Sequence, residues 1–122
     1  VLRPLVYAGV DVIHASNRRF WEPEFEGSNL NLAGWTKKIT GLPTITVGSV
    51  GLESDFIGFY QGEDEVKSAP IDDLVKRMDD KEFDMVAVGR ALLSDPEWVN
   101  KVKEGRYDEV IPFSKKHAEN YY

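Results

Sequence analysis

Three short apolar segments recur along the chain, and each is rich in β-branched residues. They cover residues 10–15, 43–48 and 83–89. An apolar run of this length that ends at small residues is typical of a strand buried on both faces of a parallel sheet. The pattern therefore predicts three parallel strands that are shielded from water on both sides.

The segments between these strands carry apolar residues at helical spacing. Gly9 and Gly41 follow two of the predicted helices, where glycine favours helix termination. Asp95 is predicted as an N-cap, with Pro96 at the first helical position. The predicted helices are a helix tail at 5–8, helices at 30–39 and 71–78, a short helix opening after residue 90, and a last helix that runs to Gly105.

Alternating helices and strands imply right-handed βαβ units and a parallel sheet, so the predicted fold class is α/β. The connections at 17–29 and 51–69 are long for such units. Both leave the C-terminal ends of strands, where α/β folds build their sites. The tail at 111–122 shows no clear period, and its structure stays open.

The composition narrows the class of protein. The chain has 122 residues, the size of one domain, whereas a complete βα barrel has roughly 250. A net charge of −6 argues against a nucleic-acid partner. The absence of cysteine excludes thiolate chemistry and fits a cytoplasmic protein.

We see no apolar run near the ~18 residues of a membrane span and no signal-peptide pattern. Because an apolar pattern starts at once at Val1, we expect a piece of a longer protein.

The strongest candidate site lies after the second and third predicted strands, at Gly48-Ser49 and Gly89-Arg90. Glycine lets a phosphate approach backbone N–H groups closely, and a guanidinium binds phosphate oxygens in a fork. Neighbouring strands of a βα barrel often build a phosphate site in this way. The alternative is that both glycines only permit tight turns.

Residues 83–98 resemble the last barrel strand and phosphate turn of the Old Yellow Enzyme family. Residues 9–16 and 43–51 are similar to its sixth and seventh strands, and the resemblance runs from about Leu5 to Arg106. It implies that residues 1–122 are one fragment of a partial (β/α)8 barrel, covering about strands six to eight. That family binds FMN and uses NADH or NADPH to reduce activated C=C bonds, as in enones.

Carried onto this chain, the resemblance implies that Gly48 and Ser49 meet the FMN phosphate from one side, and that Gly89 and Arg90 meet it from the other. The family's substrate-binding His/Asn pair and proton-donating Tyr belong to strands that have no counterpart here. We therefore assign no catalytic residue, and we expect the isolated chain to be inactive.

Other residues are weaker candidates. The resemblance implies that Phe20 and Trp21, in the 17–29 connection, hang over the flavin and shape a substrate pocket; the alternative is that they cover the rim. His14 is interpreted as a core or inter-strand residue, and we predict no metal site because the only other histidine is His117. An acidic loop is the interpretation of Glu22, Glu24 and Glu26. We interpret two tryptophans as packing residues, Trp35 and Trp98. Solvated charge at helix ends is the interpretation of Asp72, Asp73, Asp79 and Asp80.

Two further interpretations of the sequence stay open. The glycine-ended strands also suit another phosphate-binding barrel enzyme. Alternatively, the isolated chain is a non-catalytic structural module that associates with itself through its open sheet edges. A membrane partner is not expected under any of these interpretations.

Overall fold

The computed structural model describes residues 1–52, 65–66 and 71–114. Its helices are α1 (Leu2–Tyr7), α2 (Leu32–Thr40), α3 (Asp72–Asp79), α4 (Arg90–Ser94) and α5 (Trp98–Lys103), with a 3-10 turn at Tyr107–Glu109. Its strands are β1 (Ile13–Ala15), β2 (Thr44–Thr46), β3 (Glu65–Val66), β4 (Met85–Val86) and β5 (Phe113–Ser114). None of the helices in these ranges is long and apolar enough to cross a membrane.

Strands β1, β2 and β4 form a parallel sheet in the order β1-β2-β4. Ile13 lies opposite Thr44, and Ile45 lies opposite Met85. The three strands coincide with the three predicted apolar segments but are only two or three residues long. A mixed α/β fold with three parallel strands is therefore confirmed, while closure into a (β/α)8 barrel stays a prediction.

The two faces of this sheet differ, which corrects the prediction of strands buried on both sides. Ala15, Thr44 and Thr46 are buried, whereas His14 and Met85 are exposed. The buried face lies against the start of α2, where the Asn31 side chain donates to Thr46 Oγ1. The interpretation of His14 as a core residue is wrong, because alternate strand residues point to opposite faces and His14 is on the open one.

The chain folds as two compact units. The first comprises Val1–Gly48 and Asp72–Ala87, and the second comprises Ser49–Ile71 and Val88–Tyr122. The first unit contains the parallel sheet with α1, α2 and α3. The second contains α4, α5 and an antiparallel pair that the sequence did not predict, in which β3 runs beside β5.

Part of the undecided tail is therefore ordered, since β5 places the buried side chain of Phe113 in the second unit. His117 lies outside the part of the chain that the structure describes, as does most of the predicted 51–69 connection.

Two helix ends follow the glycine pattern expected from the sequence, and the start of α2 does not. Gly41 ends α2 with φ of 72°, and Gly9 follows α1 with φ of 94°. Asn31, which the sequence placed inside the second helix, is instead its N-cap and accepts a hydrogen bond from Gly34 N at 2.8 Å. An asparagine oxygen satisfies a free N–H of the first turn, so this residue stops the helix from starting earlier.

Candidate functional site

Ser49 and Arg90 are brought together in the second unit although 41 positions separate them. Arg90 Nη2 donates to Ser49 Oγ at 3.3 Å. Ser49 is buried and has a φ of 52°, so it turns the chain sharply just after β2. The hydroxyl and the guanidinium therefore form one polar pair, as the phosphate hypothesis requires.

An aromatic ring also lies close to the Arg90 side chain. The guanidinium carbon of Arg90 lies 6.0 Å from the centre of the Phe113 ring. Cations at this distance from an aromatic face are attracted by its negative π surface. Phe113 is itself buried, so it offers a rigid support for a half-buried cation.

Gly89 immediately precedes α4, and its surroundings are open. A Cβ atom built on Gly89 meets nothing within 4 Å among the residues that the structure describes. Its carbonyl accepts from Leu92 N at 3.0 Å, which forms the first turn of α4. Packing within the second unit therefore leaves the backbone at Gly89 accessible beside Arg90.

Gly48 is the last residue of the first unit, and a different constraint acts on it. Its φ is 133°, and a Cβ atom there would lie 2.6 Å from the carbonyl oxygen of Asn17. Its own carbonyl accepts from Phe20 N at 3.0 Å. Gly48 thus allows residues 17–20 to lie directly against the end of β2, which is a packing role.

Gly51 shows the same kind of constraint inside the second unit. It has a φ of 76°, and a Cβ atom would lie 2.9 Å from the Trp98 ring. Trp98 is buried, which confirms that it is a packing residue. The turn that begins at Ser49 is therefore held against α5 at its far end.

Phe20 and Trp21 form an edge-to-face pair with ring centres 5.2 Å apart. Phe20 is buried, and its carbonyl accepts from Asn31 Nδ2 at 2.8 Å. Trp21 is only half-buried. Of the two residues suggested for a substrate pocket, Trp21 is thus the one with accessible surface, while Phe20 supports it from the core. Contact of either with a substrate stays a prediction.

Asn31 is a residue that sequence reasoning missed. It is fully buried and joins three elements, since its amide donates to the Phe20 carbonyl and to Thr46 Oγ1 while its oxygen caps α2. The only sequence signal was an asparagine just before an apolar helical pattern. Its long-range bonds could not be read from that signal.

Asp95 ends α4 and forms a buried centre of hydrogen bonds. Its carboxylate accepts from Lys101 Nζ at 2.7 Å, from Glu97 N at 3.0 Å and from Ile111 N at 3.1 Å. Burial alone would raise the pKa of Asp95, but these donors outweigh it and hold the pKa below its usual value. The prediction of Asp95 as N-cap with Pro96 at the first helical position is wrong, because α5 begins at Trp98 after Glu97, and Asp95 is instead the C-cap of α4.

The acidic residues of the 17–29 connection do not form a paired carboxylate site. Glu22 pairs with Arg19 at 2.6 Å, and Glu24 and Glu26 are exposed. Within residues 1–52 and 71–114, no group of three His, Asp or Glu side chains is placed to hold a metal ion.

Comparison with known proteins finds a relative that is similar to most of this chain. No protein-family model matches this chain. The chain is 35% identical over 118 residues to a protein named NADH oxidase from Thermoanaerobacter brockii. The alignment covers 90% of this chain but 15% of that relative. The chain is thus similar, over nearly all of its own length, to a small part of a much longer NADH oxidase.

Proposed function

We propose that this chain is part of an FMN-dependent NAD(P)H oxidoreductase and contributes Ser49, Gly89 and Arg90 to the binding site of the FMN phosphate. The observation that carries the proposal is the hydrogen bond between Arg90 Nη2 and Ser49 Oγ. It joins two groups that bind phosphate, and both belong to turns that follow strands of the parallel sheet.

The residues present fit a phosphate group. Arg90 supplies a permanent positive charge with several N–H donors, and the Ser49 hydroxyl supplies one more donor. Gly89 adds backbone that a ligand can approach, because no described residue fills that space. Gly48 contributes by allowing the sharp change of direction just before Ser49, since its φ is 133°.

The similarity to an NADH oxidase supports an NADH-linked oxidoreductase. Because the chain spans 15% of that relative, the activity of the whole protein belongs to this proposal. The choice of FMN and of an activated alkene as electron acceptor rests on the resemblance of the strand ends to the Old Yellow Enzyme family.

The described residues hold the cofactor and do not react with the substrate. FMN, when bound, accepts reducing equivalents from the nicotinamide and passes them to an acceptor. Arg90 and Ser49 orient the cofactor through its phosphate, which is remote from the reacting ring. Residues that protonate the acceptor must come from outside these strands, so the isolated chain is expected to show no alkene-reductase turnover.

The test is flavin binding by the full-length protein that contains this chain, measured by quenching of flavin fluorescence. Arg90→Ala removes a charged hydrogen bond of about 1.5–3 kcal/mol, so the Kd for FMN is expected to rise about 10- to 100-fold. The Kd for riboflavin, which has no phosphate, is expected to stay the same. Arg106→Ala removes another half-buried arginine of the second unit and serves as the matched control.

Each outcome has a distinct meaning. Equal weakening of FMN and riboflavin would show that Arg90 supports the fold or the ring rather than the phosphate. Tight binding of a different phosphate compound with no flavin binding would favour another phosphate-binding barrel enzyme. Absence of any flavin binding in the unmodified protein would end the proposal.

A further inference from the structure

Arg77 extends from α3 to the connection that follows β1, entirely within the first unit. Its Nη2 donates to the carbonyl of Trp21 at 3.2 Å, and its Nη1 donates to the carbonyl of Asn29 at 3.0 Å. These two carbonyls lie near opposite ends of the same connection. One guanidinium therefore bridges the two arms of a loop to which it is not adjacent in sequence.

Two acidic residues hold the guanidinium in this position. Asp73, one turn earlier on α3, accepts from Arg77 Nε at 3.0 Å. Glu82 lies 3.7 Å away across an ion pair. The Arg77 side chain is only 13% exposed, so water competes weakly for its donors. The geometry is that of a fixed fork rather than a mobile surface arginine.

The loop between the two carbonyls is closed by other bonds as well. Glu24 N donates to Leu30 O at 3.0 Å, and Asn31 Nδ2 donates to Phe20 O at 2.8 Å. The carbonyl of Trp21 is held by Arg77. The position of Trp21 thus depends directly on a helix side chain 56 positions later in the sequence.

We infer that Arg77 is the positioning residue of the loop 20–31 and sets the place of the half-buried Trp21 ring. Binding of an electron acceptor by Trp21 rests on the function proposed above, whereas the restraint of the loop does not. A lysine at this position keeps the positive charge beside Asp73 and Glu82. It is a point donor without a planar fork, so it does not bridge both carbonyls in the same geometry.

The test is amide hydrogen exchange of the full-length protein followed by mass spectrometry, with Arg77→Lys as the variant. Exchange in the peptide that covers residues 20–31 is expected to become about tenfold faster, while exchange in β2 and α2 is unchanged. Lys76→Arg is the matched control, because Lys76 lies on the same helix, is largely exposed and pairs with Asp80. Lys76→Arg is expected to leave amide exchange unchanged throughout the first unit.

Unchanged exchange in residues 20–31 would overturn the inference. An equal rise in all parts of the first unit would also overturn it, because Arg77 would then only stabilise the fold.

For the link to substrate, Arg77→Lys is expected to raise the KM for the acceptor several-fold, with little change in kcat and none in the Kd for FMN. An unchanged KM in an active holoenzyme would remove that link. Faster loop exchange in a protein that binds no flavin would keep the restraint and remove only the proposed function.

Discussion

The turns after β2 and β4 each contain a glycine that follows an apolar strand, yet the two glycines have opposite surroundings. At Gly48, the space of a side chain is filled by the backbone of residues 17–19. At Gly89, that space is empty within the described part of the chain. The first glycine allows the protein to pack against itself, and the second leaves its backbone open beside Arg90.

This difference shows that the same residue type in the same sequence context can have filled or open surroundings. A glycine is required wherever any atom must come close to the backbone, and the sequence does not say which atom that is. The two turns are therefore best separated by substitutions that affect stability at one and ligand binding at the other.

The largest effect on stability is expected for Gly48→Ala. The methyl group would lie 2.6 Å from the Asn17 carbonyl oxygen, and alanine would have to adopt a φ of 133°. Backbone strain and overpacking each cost about 1–3 kcal/mol, so the free energy of unfolding should fall by roughly 3 kcal/mol or more. Urea denaturation followed by circular dichroism measures it. A loss no larger than that of Gly89→Ala would remove the distinction between the two turns.

A loss of about 3 kcal/mol is expected for Asp95→Asn, because the change removes the buried charge of an ion pair and leaves the partly buried Lys101 cation without its charged partner. This substitution tests what holds the second turn, since Asp95 ends the helix that Gly89 begins. Asp108→Asn, an exposed change of equal charge in the same unit, is the control and is expected to cost less than about 0.5 kcal/mol.

The same variant should alter the pH dependence of stability. The folded protein lowers the pKa of Asp95, so the unfolded chain binds the proton more readily and stability rises with pH. The contribution is complete above the unfolded pKa of about 3.9 and is lost as the pH falls through the folded value. Urea denaturation between pH 2 and 7 should therefore show a shallower acid decline for Asp95→Asn. An identical decline in both proteins would mean that other carboxylates control it.

The smallest effect on stability, below about 0.5 kcal/mol, is expected for Gly89→Ala, because no described residue lies within 4 Å of the position of its methyl group. If that space receives the cofactor phosphate, the Kd for FMN should rise about tenfold, which corresponds to about 1.4 kcal/mol. Fluorescence titration of the full-length protein measures it. Unchanged FMN affinity would show that the opening beside Arg90 is not used by the ligand.

Much of the local structure could be predicted from the sequence. The three apolar segments became the parallel strands, and Gly9 and Gly41 ended helices as expected. These features depend on period and on backbone freedom, both of which are local. His14 was misplaced for a non-local reason, because apolar neighbours predicted burial on both faces while the structure leaves one face of the sheet open.

The candidate site was predicted in part. The sequence pointed to Ser49 and Arg90, and the structure placed them 3.3 Å apart. The sequence pattern did not separate the packing role of Gly48 from the open position of Gly89. It also missed Asn31 and Arg77, whose bonds reach residues far away along the chain.

By itself, the sequence determined the three parallel strands, the helices between them, the glycines that follow α1 and α2, and the residues proposed to bind a phosphate. Those properties follow from hydrophobic period, glycine freedom and side-chain chemistry at single positions. Only the tertiary structure decided which side chains meet and which face of the sheet is open. The reason is that a hydrogen bond such as Arg77 to Trp21 depends on where two distant segments lie in space, and no local pattern records that distance.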